Sequence, residues 1–292
     1  MKRTLVIGSS GMVASRFIDL AKNDLAIVGI DEKTLDITDS PAVKKYFDAN
    51  TFDAVINFAA YTNVDGAEKE RSDENGLVWR LNVEGPKNLS DNCKKHNIFF
   101  AQISTDFVFD IDGPFNEDSK VAQSLNNKIG WYGWTKNKGE VGDAIIRISY
   151  PFMAEHHDLK LDWARNLIKL YNGHKLYPLF TDQQYSILLI DDLTEPLLKI
   201  INNELTGVFH IASSDTTSPY EAGEYLLSKY TGASIELEQG SLEKFLKDNS
   251  KAPRPIYGGL NTQNTQMKLG LKFKSWKQMI DKFIVQLNAS SV

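Results

Sequence analysis

Between residues 4 and 149 the chain alternates short, unbroken apolar runs with stretches of helical spacing. Residues 4–7, 26–30, 53–62, 98–104 and 144–149 read as strands, and 12–20 reads as a helix. Strands that are apolar on both sides need cover on both sides, and strand–helix alternation supplies it only in a parallel sheet. The expected class is therefore α/β, a Rossmann-type doubly wound parallel sheet. "DSPAVKKYFDAN" opens another helix, with Ser40 as N-cap and Pro41 in the first turn. Leu77, Leu81, Leu89 and Cys93 fall at multiples of four, the stripe of one long helix within 72–97. Past residue 150 the pattern is less regular: a helix near 161–172, a strand-like "GVFHIAS" at 207–213, a helix near 219–230 and a Pro-rich "KAPRPIYGG". This divides the chain into a main domain, 1–150, and a smaller C-terminal lobe, 151–292, with 207–213 returning to the main sheet.

Bulk composition narrows the partners. A net charge of −5 argues against nucleic acid. The lysines between Lys268 and Lys282 read as the solvated face of an amphipathic helix. No apolar run approaches a membrane span or a signal-peptide core, so neither membrane nor export is expected. The one cysteine, Cys93, excludes an intrachain disulfide and fits the reducing cytoplasm.

Three local patterns carry chemistry. "VIGSSGMVAS" lies on the first strand–helix turn, where Gly8 and Gly11 allow a tight turn and bring the N–H groups of Ser10, Gly11 and Met12 to a pyrophosphate. Residues 1–150 are thus expected to bind a dinucleotide. Asp31, at the end of the second strand, can accept from ribose hydroxyls and would repel a 2′-phosphate, so NAD(H) is favoured, with NADP(H) admitted by nearby Lys33. Tyr132 and Lys136 stand four apart on one helix face. A free phenol titrates near ~10, and an adjacent ammonium would bring it down. The same spacing occurs at Tyr171/Lys175 and Tyr225/Lys229. Only the first pair follows a strand ending in hydroxyls, "QISTDFVF", with Ser104, Thr105 and Asp106 at the end that faces the ligand crevice.

In combination these stretches resemble the dTDP-4-dehydrorhamnose reductase family of the extended short-chain dehydrogenase/reductases. "LDITD", "VINFAAYTNVDGAE", "LNVEGPKNLS", "STDFVFDIDGPFNED", "YGWTKNKGE", "TDQ", "GVFHIAS" and "RPIYGGLNT" carry the resemblance from end to end. It implies an oxidoreductase of carbohydrate biosynthesis, reducing a nucleotide-linked 4-keto sugar with NAD(P)H. Carried over by position, Tyr132 is the proton donor, Lys136 the ribose anchor, and Thr105 the holder of the substrate oxygen with Ser104 beside it. Gly8 and Gly11 match the dinucleotide loop, and Ala59, Ala60 and Tyr61 the segment along the cofactor. Asp106 and Asn82 also match family positions, and Arg254 of "RP" falls to the substrate. A homodimer follows by analogy.

The chain departs from the family pattern in its second half. "DQQYSILLI" lacks a Gly, Pro and Thr, "RPIYGGLN" has Tyr257 and Gly258 for Asn and Ser, and "RISYPF" lacks Tyr-Gly after the strand. These departures leave the sugar open to one other than the rhamnose precursor, while the cofactor and catalytic segments imply the same chemistry. Two other activities share the fold: a nucleotide-sugar epimerase or dehydratase using the same tyrosine, and a non-catalytic regulatory subunit like that of methionine adenosyltransferase. No metal site is expected. His156 and His157 diverge as neighbours and read as an exposed loop, Asp65 and Glu68 as helix caps, and 106–118 as a solvated acidic loop. Trp131 and Trp134 flank Tyr132 and are candidates to wall the site.

Overall fold

A computed structural model describes residues 1–155, 157, 161–248 and 251–289. Its centre is a six-stranded sheet, parallel throughout, of β1 (Arg3–Ile7), β2 (Ala26–Ile30), β3 (Ala54–Asn57), β4 (Phe99–Thr105), β5 (Ala144–Ile148) and β6 (Gly207–Ile211). The order across the sheet is β2-β1-β3-β4-β5-β6. From β1 the chain winds outward to β2, then crosses back to β3 and winds the other way. That reversal opens a crevice beyond the carboxyl ends of β1 and β3, where such sheets take their ligands.

The strands are apolar on both faces because both faces are covered. Val6, Ile56, Ala101 and Ile146 face one core with Phe17, Leu197, Leu226, Ile280 and Phe283 from helices Met12–Ala21, Thr194–Asn203, Pro219–Thr231 and Trp276–Ala289. Leu5, Ile7, Val55 and Phe100 face the other, under Val43 and Phe47 of Ser40–Ala49 and Leu89 and Cys93 of Gly85–His96. Segments after residue 150 thus pack on the first face and supply β6, which pairs with β5 through Ile146↔Phe209. Two-residue bridges join Pro151–Phe152 to Leu188–Leu189 and Leu179–Phe180 to Gln239–Gly240. Among the described residues no helix is long and apolar enough to cross a membrane.

Several local expectations need correcting. Asp39, not Ser40, caps the second helix, accepting from the Ala42 N–H at 3.0 Å. The third strand ends at Asn57, after which 58–62 runs extended along the crevice. The expected helix over 72–97 is broken in register: Leu77–Trp79 passes through a wide turn, Arg80–Glu84, before Gly85–His96 begins. A wide turn inserts an extra residue, so Leu77 leaves the stripe and is exposed while Leu89 and Cys93 are buried. The 106–118 run is not simply solvated, since Asp106, Phe109 and Phe115 are buried. Lys274 and Lys282 both reach Asp192, at 2.9 and 2.7 Å, rather than standing free in water.

Replacing Ile146 with Ala, fully buried at the sheet centre, should destabilise the fold by about 2–5 kcal/mol. Val285→Ala, on the exposed side of the last helix, should stay within about 0.5 kcal/mol. Urea denaturation of the two variants beside wild type measures the contrast.

Candidate active site

The crevice is built from the ends of β1, β3, β4 and β5. After β1 the backbone turns at Gly8, whose φ is +76°. A Cβ there would lie 2.8 Å from the Ala59 nitrogen, so no larger residue fits the approach of β1 to the segment after β3. Gly8 and Ser9 N–H donate to the Ile30 carbonyl at 2.9 and 3.0 Å, and Gly11 N–H to that of Gly8 at 2.9 Å. Gly11 then begins the helix Met12–Ala21 without any side-chain cap. The Gly11 N–H is spent inside the turn, and the Ser10 and Met12 N–H groups at the helix entrance have no side-chain cap before them, an arrangement that fits a dinucleotide pyrophosphate. The Met12 side chain itself is buried against Met153 and Ile190, so only its backbone serves there. At the end of β2, Asp31 Oδ1 accepts from Lys33 N–H at 3.1 Å and Thr34 N–H at 3.3 Å.

Ala59, Ala60 and Tyr61 follow the carboxyl end of β3, and Asn82 holds this segment at Tyr61. Its Oδ1 accepts from Tyr61 N–H at 2.8 Å, and its Nδ2 donates to the Tyr61 carbonyl at 3.2 Å and to Thr135 Oγ1 at 3.1 Å. One buried amide thus pairs with a loop as a strand would, and ties that loop to the helix Trp131–Lys138.

That helix carries Tyr132 and Lys136, both buried. Glu68 caps it from a distance, accepting from Trp131 N–H at 2.7 Å. Gly133 lets it press on the turn after β4, where a Cβ would fall 2.1 Å from the Phe107 carbonyl oxygen. Trp131 stacks on Trp79 at 5.8 Å in the core and does not wall the site. Lys138 lies over Trp134. The Lys136 ammonium donates to the Ile103 carbonyl at 2.8 Å, and burial lowers its pKa to about 8 against the pull of Glu140. The expected lowering of the Tyr132 phenol is reversed. Burial pushes it well up, the Asp106 charge adds to that, and only the Thr105 hydrogen bond opposes it.

Thr105 and the Asp106 charge both act on Tyr132, whereas Ser104 is turned to Glu140. Adjacent strand residues point to opposite faces. Ser104 Oγ donates to Glu140 Oε1 at 2.6 Å, which is held in turn by Arg147 at 2.8 and 2.7 Å. Thr105 Oγ1 donates to Asp106 Oδ1 at 3.1 Å, and Ser149 Oγ donates to Asp106 Oδ2 at 2.8 Å.

Tyr150, just past β5, escaped the sequence reading. Its φ of +40° is strained for a residue with a side chain, and its ring lies 4.4 Å from Tyr185 and 6.2 Å from Phe107. Gln183 Nε2 reaches both its hydroxyl and the Pro255 carbonyl at 3.3 Å. Burial and the Asp106 charge push the phenol up to about 12. Its partners Gln183 and Tyr185 lie more than thirty residues away, so no local sequence signal marks it. The departures at "RISYPF" and "DQQYS" thus meet on one wall.

Beside these residues lies a cavity of about 570 Å³, lined by Lys128, Lys251, Arg254 and Tyr257 with Phe109 and Glu68. Tyr132 and Thr105 do not line it, so it adjoins the reacting groups without containing them. Arg254 is held by Asp65 at 2.7 Å, and Asn63, not Asp65, caps that short helix. His156 lies outside the described residues, while His157 Nε2 sits 3.1 Å from the Ser10 carbonyl, on the glycine turn rather than in an open loop. Among the described residues no three His, Cys, Asp or Glu side chains group to hold a metal.

With this geometry in place, comparison with known proteins is decisive. Residues 1–289 match the family described as RmlD substrate binding domain. The chain belongs to that family. It is 28% identical to a probable low-salt glycan biosynthesis reductase, Agl14, of Haloferax volcanii, over 91% of both chains. It is 27% identical to the dTDP-4-dehydrorhamnose reductase of Mycolicibacterium smegmatis, over 96% of this chain and 84% of that one. The crystal structure of dTDP-4-dehydrorhamnose reductase from Bacillus anthracis in complex with NADP superposes with a TM-score of 0.85, at 25% identity, over 98% of this chain and 99% of that one. Fold and family therefore agree with the sequence reading.

The pKa of Lys136 makes a stability prediction. An unfolded lysine keeps its proton to about pH 10.4, while folded Lys136 releases it near 8. Between these values the unfolded chain binds more protons, so Lys136 makes stability rise with pH across that window. Between pH 8 and 10 the urea midpoint of wild type should rise relative to that of Lys136→Met.

Proposed function

We propose that this protein reduces the C4 ketone of a nucleotide-linked 4-keto-6-deoxy sugar, using a reduced nicotinamide dinucleotide. The observation that carries this reading is Tyr132: a buried phenol kept in its acid form at the carboxyl end of β4, on the helix beside the glycine-turn crevice. A reduction needs a proton donor there, and a phenol that keeps its proton at neutral pH has one to give. Similarity to the reductases above along almost the whole chain supports the same conclusion.

A reduced dinucleotide held in this crevice would supply hydride to the carbonyl carbon. Tyr132 passes its proton to the sugar oxygen, C=O becomes CH–OH, and the phenolate is reprotonated from solvent. Lys136, at the same helix face, supplies positive charge to the phenolate and a donor to the cofactor ribose. The Gly8–Met12 turn holds the pyrophosphate, and Ala59, Ala60 and Tyr61 border the dinucleotide. Asp31 favours the free ribose hydroxyls of NADH over a 2′-phosphate. Lys33 beside it and the NADP complex of the Bacillus anthracis reductase keep NADPH in the assay. The sugar lies between Tyr132 and the Tyr150–Tyr185 wall. Its nucleotide extends into the cavity where Arg254, Lys251 and Lys128 meet phosphate charge. The lone buried thiol of Cys93, its pKa raised by burial, suits a reducing cytoplasm.

The test is loss of NADH or NADPH absorbance with dTDP-4-keto-6-deoxy sugars. Tyr132→Phe should lower kcat by about 10²–10⁴-fold with dinucleotide affinity retained. Gly8→Ala, forced into a positive φ and against Ala59, should weaken dinucleotide binding by about tenfold or more. Wild-type turnover without net NADH consumption, with NAD retained through purification, would instead point to an epimerase or dehydratase.

A further inference from the structure

Tyr257 lines the cavity beside the reacting groups from a backbone fixed on both sides. On one side Gln184 brackets it: the Gln184 N–H donates to the Ile256 carbonyl at 2.8 Å, and the Gly258 N–H to the Gln184 carbonyl at 2.9 Å. On the other, the Gly113 N–H donates to the Tyr257 carbonyl at 2.5 Å, and a Cβ on Gly113 would stand 3.0 Å from that oxygen. The residue is nonetheless 55% exposed. Among the described residues its ring has no aromatic or cationic partner and its hydroxyl no hydrogen bond. Ile111, 48% exposed and two residues before Gly113, lines the same cavity. Single exposed apolar residues need no explanation, but the bond from Gly113 to Tyr257 brings these two to one opening.

The charge of the cavity is divided between the same two segments. Asp110 and Asp112 flank Ile111, whereas Lys251 and Arg254 precede Tyr257. A diphosphate is attracted by the cations and repelled by the aspartates. An uncharged, planar base edged with N–H donors suits the aspartates, and its face suits an aromatic ring. We infer that Tyr257 and Ile111 pack on the base of the sugar nucleotide, whose edge turns to Asp110 and Asp112 and whose diphosphate turns to Lys251 and Arg254. This rests on the reductase reading above in taking the ligand to be a sugar nucleotide. Arg254 is steadied for its part by Asp65 at 2.7 Å and lies over the Phe245 ring at 5.5 Å. Tyr257 stands where the family pattern has Asn, which offers no aromatic face, and Gln184 belongs to the departing stretch "DQQYSILLI". The base site is thus built from what sets this chain apart.

Calorimetric titration of dTDP and UDP into protein saturated with NADPH or NADH, so that the glycine turn is filled, tests this. Tyr257→Asn should weaken binding of whichever diphosphate binds by about 5- to 100-fold, and Tyr257→Phe, which keeps the ring face, should not. The side chain is exposed, so both variants should keep the urea midpoint of wild type. In protein labelled with 3-fluorotyrosine, the resonance lost in Tyr257→Phe should move on addition of that nucleotide and stay in place on addition of inorganic pyrophosphate. Failure of both nucleotides to bind, an unchanged affinity in Tyr257→Asn, or a resonance that answers equally to pyrophosphate overturns the inference. Nucleotide affinity that depends on Tyr257 in a protein that reduces no 4-keto sugar refutes the reductase reading and keeps the base site. Reduction with an unchanged KM for the sugar nucleotide in Tyr257→Asn does the reverse.

Discussion

The hydrogen bond from the Lys136 ammonium to the Ile103 carbonyl, 2.8 Å long and buried, fixes the rest of the site. It joins the Tyr132 helix to β4 one residue before Ser104 and two before Thr105. A lysine taken out of water is costly unless a dipole or charge receives it. Here a strand carbonyl does so, and Glu140 adds a negative charge one helical turn further on. The register between the helix and the strand is therefore set by electrostatics as well as packing. Gly133 permits the close contact with the Phe107 carbonyl, and Glu68 closes the amino end of the helix through Trp131. Each contact is local, and together they leave Tyr132 no freedom to drift from the end of β4.

The second face of β4 supports the first. Ser104 turns away from the crevice to join Glu140 and Arg147, and Arg147 also lies over the Phe109 ring at 4.9 Å. His210 on β6 stands 3.4 Å from the same guanidinium, and burial, with a smaller push from that charge, lowers its pKa. This buried cluster locks β4, β5 and β6 together at the level where Thr105 and Asp106 emerge. An ion pair of this kind adds little net stability against apolar packing, but breaking it strands a charge. Its contribution to the site is rigidity at the strand ends.

How much was legible follows from whether a feature is written in neighbouring residues. The glycine turn, the strand–helix alternation and the Tyr132–Lys136 face are local patterns, and each is present, the third strand stopping five residues short of its apolar run. Ser104 could have been separated from Thr105 by strand alternation alone, since two adjacent residues cannot both face one crevice. The wide turn at Arg80–Glu84 has no comparable local signature, and with it Asn82 was legible only as a matched position, not as a clamp. Asp106 looked like the start of an acidic loop because its concealment depends on Ser149, 43 residues away. Tyr150, Gln183 and Tyr185 converge only after the chain has folded back from β5.

The direction of the chemistry is visible in the polarity of these contacts. A site meant to abstract a proton would present Tyr132 as a phenolate, with donors aimed at its oxygen. Here burial and the Asp106 charge disfavour that form, and the sole proton of Thr105 is aimed the other way. Lys136 is held at the strand carbonyl. What remains is a phenol with its proton intact at the mouth of a dinucleotide crevice. An alkoxide developing on a sugar held in this crevice would be a far stronger base than a ketone oxygen, so transfer of the Tyr132 proton would become favourable as that charge forms. The enclosure that makes Tyr132 a poor acid in the resting protein withholds its proton until that base is formed.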